Sequence, residues 1–198
     1  MKVYGDRLSG NCYKVKLMLS LLGIPYDWQE IVVTSGITRK PDFLAMNPNG
    51  RVPVLEIEPG SWLAESNAIL CYLAEGTPYL PVDRLDRARV MQWLFFEQYS
   101  HEPFIATSRF WIRYLGKAEE YREQLAAKRP GGEAALAVME GELGKRDWFA
   151  GDRYSIADIA LYAYTHVADE GGFDLASYPA VRAWLGRIAA QPGHVEMG

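Results

Sequence analysis

Three hydrogen-bonding or reactive side chains stand together where the first predicted helix begins. Ser9, Asn11 and Cys12 bring a hydroxyl, an amide and a thiol within four residues, and the run 12–22 that follows is largely apolar. The N–H groups at the start of a helix carry partial positive charge, so side chains placed there can stabilise an anion such as a thiolate. Ser9 or Asn11 can equally be an N-cap, which is a purely structural role.

Two further polar pairs stand at predicted helix starts. Glu65 and Ser66 open a helix that runs to Leu73. The N–H groups there, with the Ser66 hydroxyl, form either an anion site or a plain cap. Ser155 and Asp158 have the spacing of a capping box, in which the acid accepts hydrogen bonds from backbone N–H groups. We interpret this pair as structural, so substitution of Asp158 should harm folding more than chemistry.

The elements that must position these residues differ between the two parts of the chain. Residues 1–76 show short strand and helix signals in the order β-α-β-α-β-β-α, with a strand at 26–33 and a polar loop at 34–40. A parallel βαβ unit followed by a hairpin and a closing helix forms an α/β sandwich of thioredoxin type. We therefore predict a thioredoxin-like domain with a mixed four-stranded sheet.

Strand signals end beyond a predicted linker at 77–83, and residues 84–198 are predicted to form an all-α helical bundle domain. The stretch 83–115 is predicted to be one long amphipathic helix bent near Pro103. A charged helix at 118–128 is expected to stop before Gly131 and Gly132, with a new helix at 133–143.

Composition excludes several classes of protein. The 198 residues are 49% hydrophobic and 23% charged, with a net charge of -4 and scattered basic residues, which argues against nucleic-acid binding. No apolar run reaches the length of a membrane helix, and the start of the chain does not resemble a secretory signal. Two cysteines make no disulfide framework and favour a reducing cytoplasm, and the three histidines lack metal-site spacing, so no metal is expected.

Four segments, in order and at the expected spacing, resemble motifs of the cytosolic glutathione transferase superfamily, most closely its bacterial and theta- or delta-like branches. The resemblance covers essentially the whole chain. The segments are Ser9-Gly10-Asn11-Cys12, Gly50-Arg51-Val52-Pro53-Val54-Leu55, Glu65-Ser66-Asn67-Ala68-Ile69-Leu70, and Phe149-Ala150-Gly151-Asp152 with Ser155-Ile156-Ala157-Asp158.

The resemblance implies that glutathione is a co-substrate whose thiol, with an ordinary pKa of about 8.5, is held as a thiolate. Ser9 would donate to the sulfur, with Asn11 assisting or replacing it. Cys12 is the alternative reactive group, but the catalytic cysteine of related classes aligns with Ser9. Cys12 is therefore expected to be a packing residue.

The resemblance also implies the remaining glutathione contacts. Val52 before a cis Pro53 would pair its backbone groups with the cysteinyl part. Ser66 would bind the γ-glutamyl carboxylate and Glu65 the γ-glutamyl ammonium. Lys40 is expected to meet the glycyl carboxylate, and Arg39 and Arg51 are its rivals.

The helical domain would bind a small, mostly apolar electrophile. Aromatic and hydroxyl side chains on the long helical stretch are candidates for that pocket, although aromatic residues at helical spacing also suit a core. Arg109 would either meet an anionic substrate or face solvent. The candidates are Tyr99, Phe104, Ser108, Phe110 and Trp111.

Three functions remain open at this point. The first is a glutathione transferase that conjugates electrophiles or reduces peroxides, the second is a glutathione-dependent disulfide-bond reductase, and the third is a non-catalytic binding or regulatory module. The resemblance further implies a cytoplasmic homodimer.

Overall fold

The computed structural model describes all 198 residues. The chain forms two compact units, one comprising Met1–Glu75 with Gln191–Gly198 and the other Gly76–Ala190. The helical domain predicted at 84–198 therefore differs from the second unit at its end, because residues 191–198 hydrogen-bond to the first helix of the N-terminal unit. There the Tyr13 hydroxyl donates to the Val195 carbonyl at 2.7 Å and Ser20 Oγ to the Gly193 carbonyl at 2.8 Å.

The N-terminal unit contains a mixed four-stranded sheet, as predicted. Its strands are β1 (Lys2–Gly5), β2 (Asp27–Glu30), β3 (Val54–Glu58) and β4 (Ser61–Ala64), in the spatial order β2-β1-β3-β4. β1 is parallel to β2 and antiparallel to β3, and β3 is antiparallel to β4. This is the thioredoxin-like arrangement.

The second strand is shorter than the predicted 26–33, and the loop at 34–40 is not irregular. The Val33 N–H donates to Asp6 Oδ2 at 3.1 Å rather than to a strand, and two 3₁₀ turns follow at Val33–Ser35 and Ile37–Arg39. A side-chain acceptor thus ends the strand where the apolar pattern alone extended it.

Three helices complete this unit: α1 (Gly10–Leu21), α2 (Pro41–Met46) and α3 (Ser66–Ala74). α1 packs against α3, and Val15, Leu17 and Met18 on α1 are fully buried. Burial of these side chains fixes the start of α1 relative to the start of α3, and the candidate site is built on these two helix ends.

The C-terminal unit is helical throughout: α4 (Arg84–Phe96), α5 (Glu102–Arg109), α6 (Arg122–Leu143), α7 (Ile156–Thr165) and α8 (Pro179–Ala189). The predicted single helix at 83–115 is divided by π-helical turns at Glu97–His101 and Phe110–Tyr114. Pro103 lies in the first turn of α5 and has no N–H to donate, which explains why the regular ladder changes just before it.

The predicted break at Gly131 and Gly132 is wrong, because α6 runs through both glycines and Pro130 without interruption. A Cβ atom at Gly132 would lie 2.2 Å from the Phe173 ring, and one at Gly131 would lie 2.3 Å from the Phe104 ring. These glycines therefore serve close packing of aromatic rings on the helix and do not end it.

The predicted capping box at the start of α7 is present. Asp158 is fully buried and accepts from the Ser155 N–H and Ser155 Oγ at 3.0 Å, from the Phe149 N–H at 3.1 Å and from Trp184 Nε1 at 3.0 Å. Burial nevertheless raises the pKa of Asp158 to about 6. None of the helices in the chain combines the length and the apolar character needed to cross a bilayer.

Candidate functional site in the N-terminal unit

The strand register brings the predicted glutathione-binding residues to one end of the sheet. In the antiparallel pair β1–β3, Val54 at the start of β3 lies opposite Tyr4 near the end of β1. In the pair β3–β4, the same Val54 lies opposite Ala64, the last residue of β4. The loop containing Ser9, the Val52-Pro53 bond and Glu65 therefore all leave the sheet at this end.

Ser9 is the N-cap of α1, where its Oγ accepts the Cys12 N–H at 3.4 Å. Because the hydroxyl is the acceptor in this bond, its own proton can be donated to another atom. The side chain is half-buried beside the first turn of α1, whose N–H groups carry partial positive charge. A hydroxyl donor in this position is able to stabilise an anion such as a thiolate.

Cys12 occupies the first turn of the same helix and has no exposed surface. Its Sγ accepts the Asp6 N–H at 3.4 Å, and burial raises the pKa of the thiol to about 12. A thiol with this pKa is protonated at neutral pH and is a poor nucleophile. The structure thus agrees with a packing role for Cys12.

The peptide bond between Val52 and Pro53 is cis, as expected from the resemblance. The loop before it is held by side chains, since Asn47 Nδ2 donates to the Arg51 carbonyl at 2.8 Å and Arg39 Nη1 to the Asn49 carbonyl at 3.1 Å. Arg39 is therefore used to support this loop.

The other two cations proposed for the glycyl carboxylate are exposed. Lys40 caps the start of α2 through its backbone, and Arg51 lies in the loop just before the cis peptide bond. Neither is brought by a described contact to the residues at the start of α1 or α3, so their role stays a prediction.

Glu65 and Ser66 lie at the start of α3, as predicted. Glu65 has φ 66° and ψ 111° and is the one residue other than glycine with positive φ, a backbone conformation that costs energy. The Ser66 side chain is buried, and its Oγ donates to Asn11 Oδ1 at 3.1 Å. This hydrogen bond joins the starts of α1 and α3, which are 55 residues apart in the chain.

Lys14 is a member of this cluster that the sequence patterns did not single out. It is fully buried, and its Nζ lies 3.4 Å from Ser66 Oγ and 3.2 Å from Asn67 Oδ1, to both of which it donates. The sequence does hint at this role, because Lys14 lies three residues after Asn11 and so on the same face of α1. The residues on either side of it, Tyr13 and Val15, are largely apolar.

In the C-terminal unit, the candidates for the second substrate have different environments. Tyr99 is 83% exposed, whereas Ser108 is buried and its Oγ donates to the Phe104 carbonyl at 2.7 Å. The Phe104 and Trp111 rings lie 5.5 and 5.6 Å from Lys128 Nζ, and Trp111 stacks on Tyr121. A substrate-binding role for these four residues and for Phe110 stays a prediction.

Arg109 was expected either to meet an anionic substrate or to face solvent. The solvent-facing expectation is wrong, and contact with an anionic substrate stays a prediction. The Arg109 side chain is 3% exposed, and its Nε lies 2.6 Å from Glu170 Oε2 in an ion pair within the helical unit. The pattern of charges along one helix does not reveal such a partner, because Glu170 lies 61 residues further along the chain.

Comparisons with known proteins agree with this architecture. Residues 8–75 match the model of the glutathione S-transferase N-terminal domain, and residues 94–192 match that of the C-terminal domain. A glutathione S-transferase structure from Pseudomonas fluorescens Pf-5 superposes with a TM-score of 0.97 at 57% identity, covering 99% of this chain and 98% of that one. A glutathione transferase structure from Pseudomonas putida, with glutathione disulfide bound, has a TM-score of 0.84 at 27% identity over 97% of this chain and 87% of that one.

Among curated sequences, the disulfide-bond oxidoreductase YfcG of Escherichia coli K12 is 30% identical over 92% of this chain and 87% of its own length. Both domain models match this chain. The mixed sheet with its cis proline and the helical C-terminal unit agree with these matches. The chain belongs to the glutathione S-transferase family.

Proposed function

We propose that this protein is a glutathione transferase, which binds glutathione in its N-terminal unit and presents the sulfur as a thiolate to an electrophilic, mostly apolar substrate. The hydrogen bond from Ser66 Oγ to Asn11 Oδ1 at 3.1 Å is the main support. This bond connects the start of α1, which suits a sulfur anion, with the start of α3, which suits a carboxylate. Glutathione carries a thiol and a γ-glutamyl carboxylate in one tripeptide, so it is the ligand that this arrangement favours.

The proposed contacts follow the order of groups in glutathione. Ser9 donates to the sulfur, and Asn11, whose side-chain oxygen is engaged by Ser66, offers the donor end of its amide as a second candidate. The backbone of Val52 pairs with the cysteinyl residue. Ser66 binds the γ-glutamyl carboxylate and Glu65 the ammonium, and Lys40 meets the glycyl carboxylate.

Activation of the thiol requires that its pKa fall from about 8.5 to near neutrality. A lowering of two units corresponds to about 2.7 kcal/mol of preferential binding of the anion. One charge-assisted hydrogen bond and the α1 dipole together are of this size. In the reaction the sulfur lone pair forms the bond to the electrophilic atom, and the leaving group departs with its electron pair or the adduct takes up a proton.

A second candidate is glutathione-dependent reduction of disulfides. The similarity to YfcG and to the Pseudomonas putida structure holding glutathione disulfide favours it. Here the bound thiolate attacks a disulfide sulfur and releases the other sulfur as a thiolate. Cys12 is not the nucleophile in this candidate, because it is buried and its pKa is raised to about 12.

We further propose a cytoplasmic homodimer. Large apolar side chains are exposed on each unit, including Trp62 and Tyr72 on the first and Phe95 and Tyr99 on the second. Cys12 and Cys71 are not joined by a disulfide, which suits a reducing compartment. Light scattering of the purified protein, compared with a Phe95→Glu variant, tests the dimer.

The deciding experiment is an ultraviolet titration of the bound glutathione thiolate with the wild type and with Ser9→Ala, Asn11→Ala and Cys12→Ala. A thiol pKa well below 8.5 that returns toward this value in Ser9→Ala or Asn11→Ala supports the mechanism and identifies the donor. If only Cys12→Ala changes the thiol pKa, the proposed mechanism is refuted. Turnover of an aryl halide against a small disulfide then separates the two candidate activities, and binding without turnover of either indicates a binding module.

A further inference from the structure

The ammonium of Lys14 is buried at the N-terminus of α3. The side chain has no exposed surface, and its two described hydrogen bonds run to Ser66 Oγ and Asn67 Oδ1, the first two residues of that helix. Lysine is seldom fully buried, because removal of its charge from water is costly. A lysine in this place therefore calls for an explanation of what its charge does.

The dipole of α3 opposes a cation at this position. The N-terminus of a helix carries partial positive charge, so a cation there is repelled, whereas an anion is attracted. The α3 dipole and the Lys14 charge thus add to one positive potential at the same point. Such a potential becomes stabilising when a negatively charged group binds at this helix end.

The hydrogen bonds of Ser66 show how the charge reaches a ligand. Its Oγ accepts from Lys14 and donates to Asn11 Oδ1. A hydroxyl that accepts from a cation is polarised and becomes a stronger donor. Since the lone pair is directed at Lys14, the single proton of Ser66 points away from the lysine, toward Asn11 or an acceptor that replaces it.

We propose that Lys14 is a positioning residue for recognition of the γ-glutamyl carboxylate of glutathione at the start of α3. Lys14 orients Ser66 and Asn67 and supplies positive charge from the buried side of these two residues. It does not touch the reacting sulfur. The inference rests on the proposed glutathione binding. Loss of the charge should raise the KM for glutathione and change kcat little, because the sulfur is held at the other helix start.

The same helix offers a matched control. Lys16 is two residues further along α1, is only partly buried, and donates from Nζ to the Glu196 carbonyl at 2.9 Å. Its charge therefore lies on another face, away from Ser66. Lys16→Gln removes the same formal charge from α1 without altering the contacts at α3.

The experiment pairs protein variants with a modified ligand. Calorimetry measures binding of glutathione and of 4-aminobutyryl-cysteinylglycine, which lacks only the γ-glutamyl carboxylate. The proteins are the wild type, Lys14→Gln, Lys14→Arg and Lys16→Gln. Lys14→Gln should weaken glutathione binding about tenfold to a hundredfold, yet change binding of the truncated ligand less than about threefold. Lys14→Arg should recover most of the loss, and Lys16→Gln should match the wild type.

Two outcomes overturn the inference while leaving the proposed function of the wild type standing. In the first, Lys14→Gln binds glutathione as tightly as the wild type. In the second, it loses affinity equally for both ligands, which indicates a purely structural lysine. A wild type that binds neither ligand refutes the proposed function itself. Lys14→Met serves as a second neutral variant if Lys14→Gln does not fold, since an apolar side chain of similar volume is often tolerated in place of a buried charge.

Discussion

Substitution of Gly132 by alanine should destabilise the protein although alanine is the better helix former. Gly132 is buried in α6, and an added Cβ would lie 2.2 Å from Cε1 and 2.5 Å from Cζ of Phe173. Ordinary contacts begin at 3.4 Å, so the ring or the helix must move by more than 1 Å. Phe173 is 2% exposed and has little room to move.

The magnitude follows from two opposing contributions. Alanine gains about 1 kcal/mol over glycine inside a helix, whereas an overpacked core costs about 1–3 kcal/mol and more where the neighbour is fixed. We expect Gly132→Ala to lower the free energy of unfolding by about 1–2 kcal/mol. Gly141 lies in the same helix, and a Cβ added there would have nothing within 4 Å, so Gly141→Ala should raise stability by about 0.5–1 kcal/mol.

Urea unfolding followed by tryptophan fluorescence measures both effects, with near-UV circular dichroism as a second probe of a common transition. Gly131→Ala should fall between the two, because the Phe104 ring that it meets is only partly buried and can turn aside. Equal stabilisation by alanine at positions 132 and 141 would refute the packing explanation and indicate that Phe173 is free to move.

Three further substitutions test other parts of the structure. Burial raises the pKa of Asp158 to about 6 in the folded protein, above its value of about 3.9 in the unfolded chain. Protonated Asp158 therefore stabilises the folded protein fully below about pH 4, and this stabilisation is lost as the pH rises through about 6. Urea unfolding measures the free energy of unfolding of wild type and of Asp158→Asn. The advantage of the wild type should shrink by up to about 3 kcal/mol between about pH 4 and pH 7. A difference that stays constant with pH contradicts the raised pKa. Tyr13→Phe removes the bond to the Val195 carbonyl and should cost about 1 kcal/mol, with faster hydrogen exchange confined to α1 and residues 191–198. Arg109→Met should cost about 1–3 kcal/mol in thermal unfolding, and addition of Glu170→Gln should recover part of this loss if the ion pair is the cause.

Features set by short stretches of sequence could be predicted. The capping box of Ser155 and Asp158 was predicted, because each side chain lies within three residues of the backbone that it caps. The start of α1 was predicted only to within three residues, since Ser9 and Asn11 were both possible caps of a helix expected at 12–22, and the structure has Ser9 as the cap. The β-α-β-α-β-β-α order follows from local apolar periods and turn residues. The cis bond before Pro53 came from resemblance to a family, since proline alone does not choose between isomers.

Features set by distant partners could not be predicted. Gly131 and Gly132 have the composition of a helix end, and only the rings of Phe104 and Phe173 explain why the helix continues through them. Arg109 has the sequence context of a surface residue, yet it is buried against Glu170. Lys14 belongs with these cases, because its contacts with Ser66 and Asn67 join two helices that are more than 50 residues apart in the chain.

The return of residues 191–198 to the N-terminal unit makes the helical unit an insertion within a discontinuous domain. During synthesis, α1 emerges first, but the carbonyls that accept from Tyr13, Lys16 and Ser20 emerge only after the whole of 76–190. The domain that carries the candidate site therefore begins to emerge before the helical unit. It is complete only when residues 191–198 have docked on α1. A fragment ending at residue 75 would lack that final segment and its hydrogen bonds to α1.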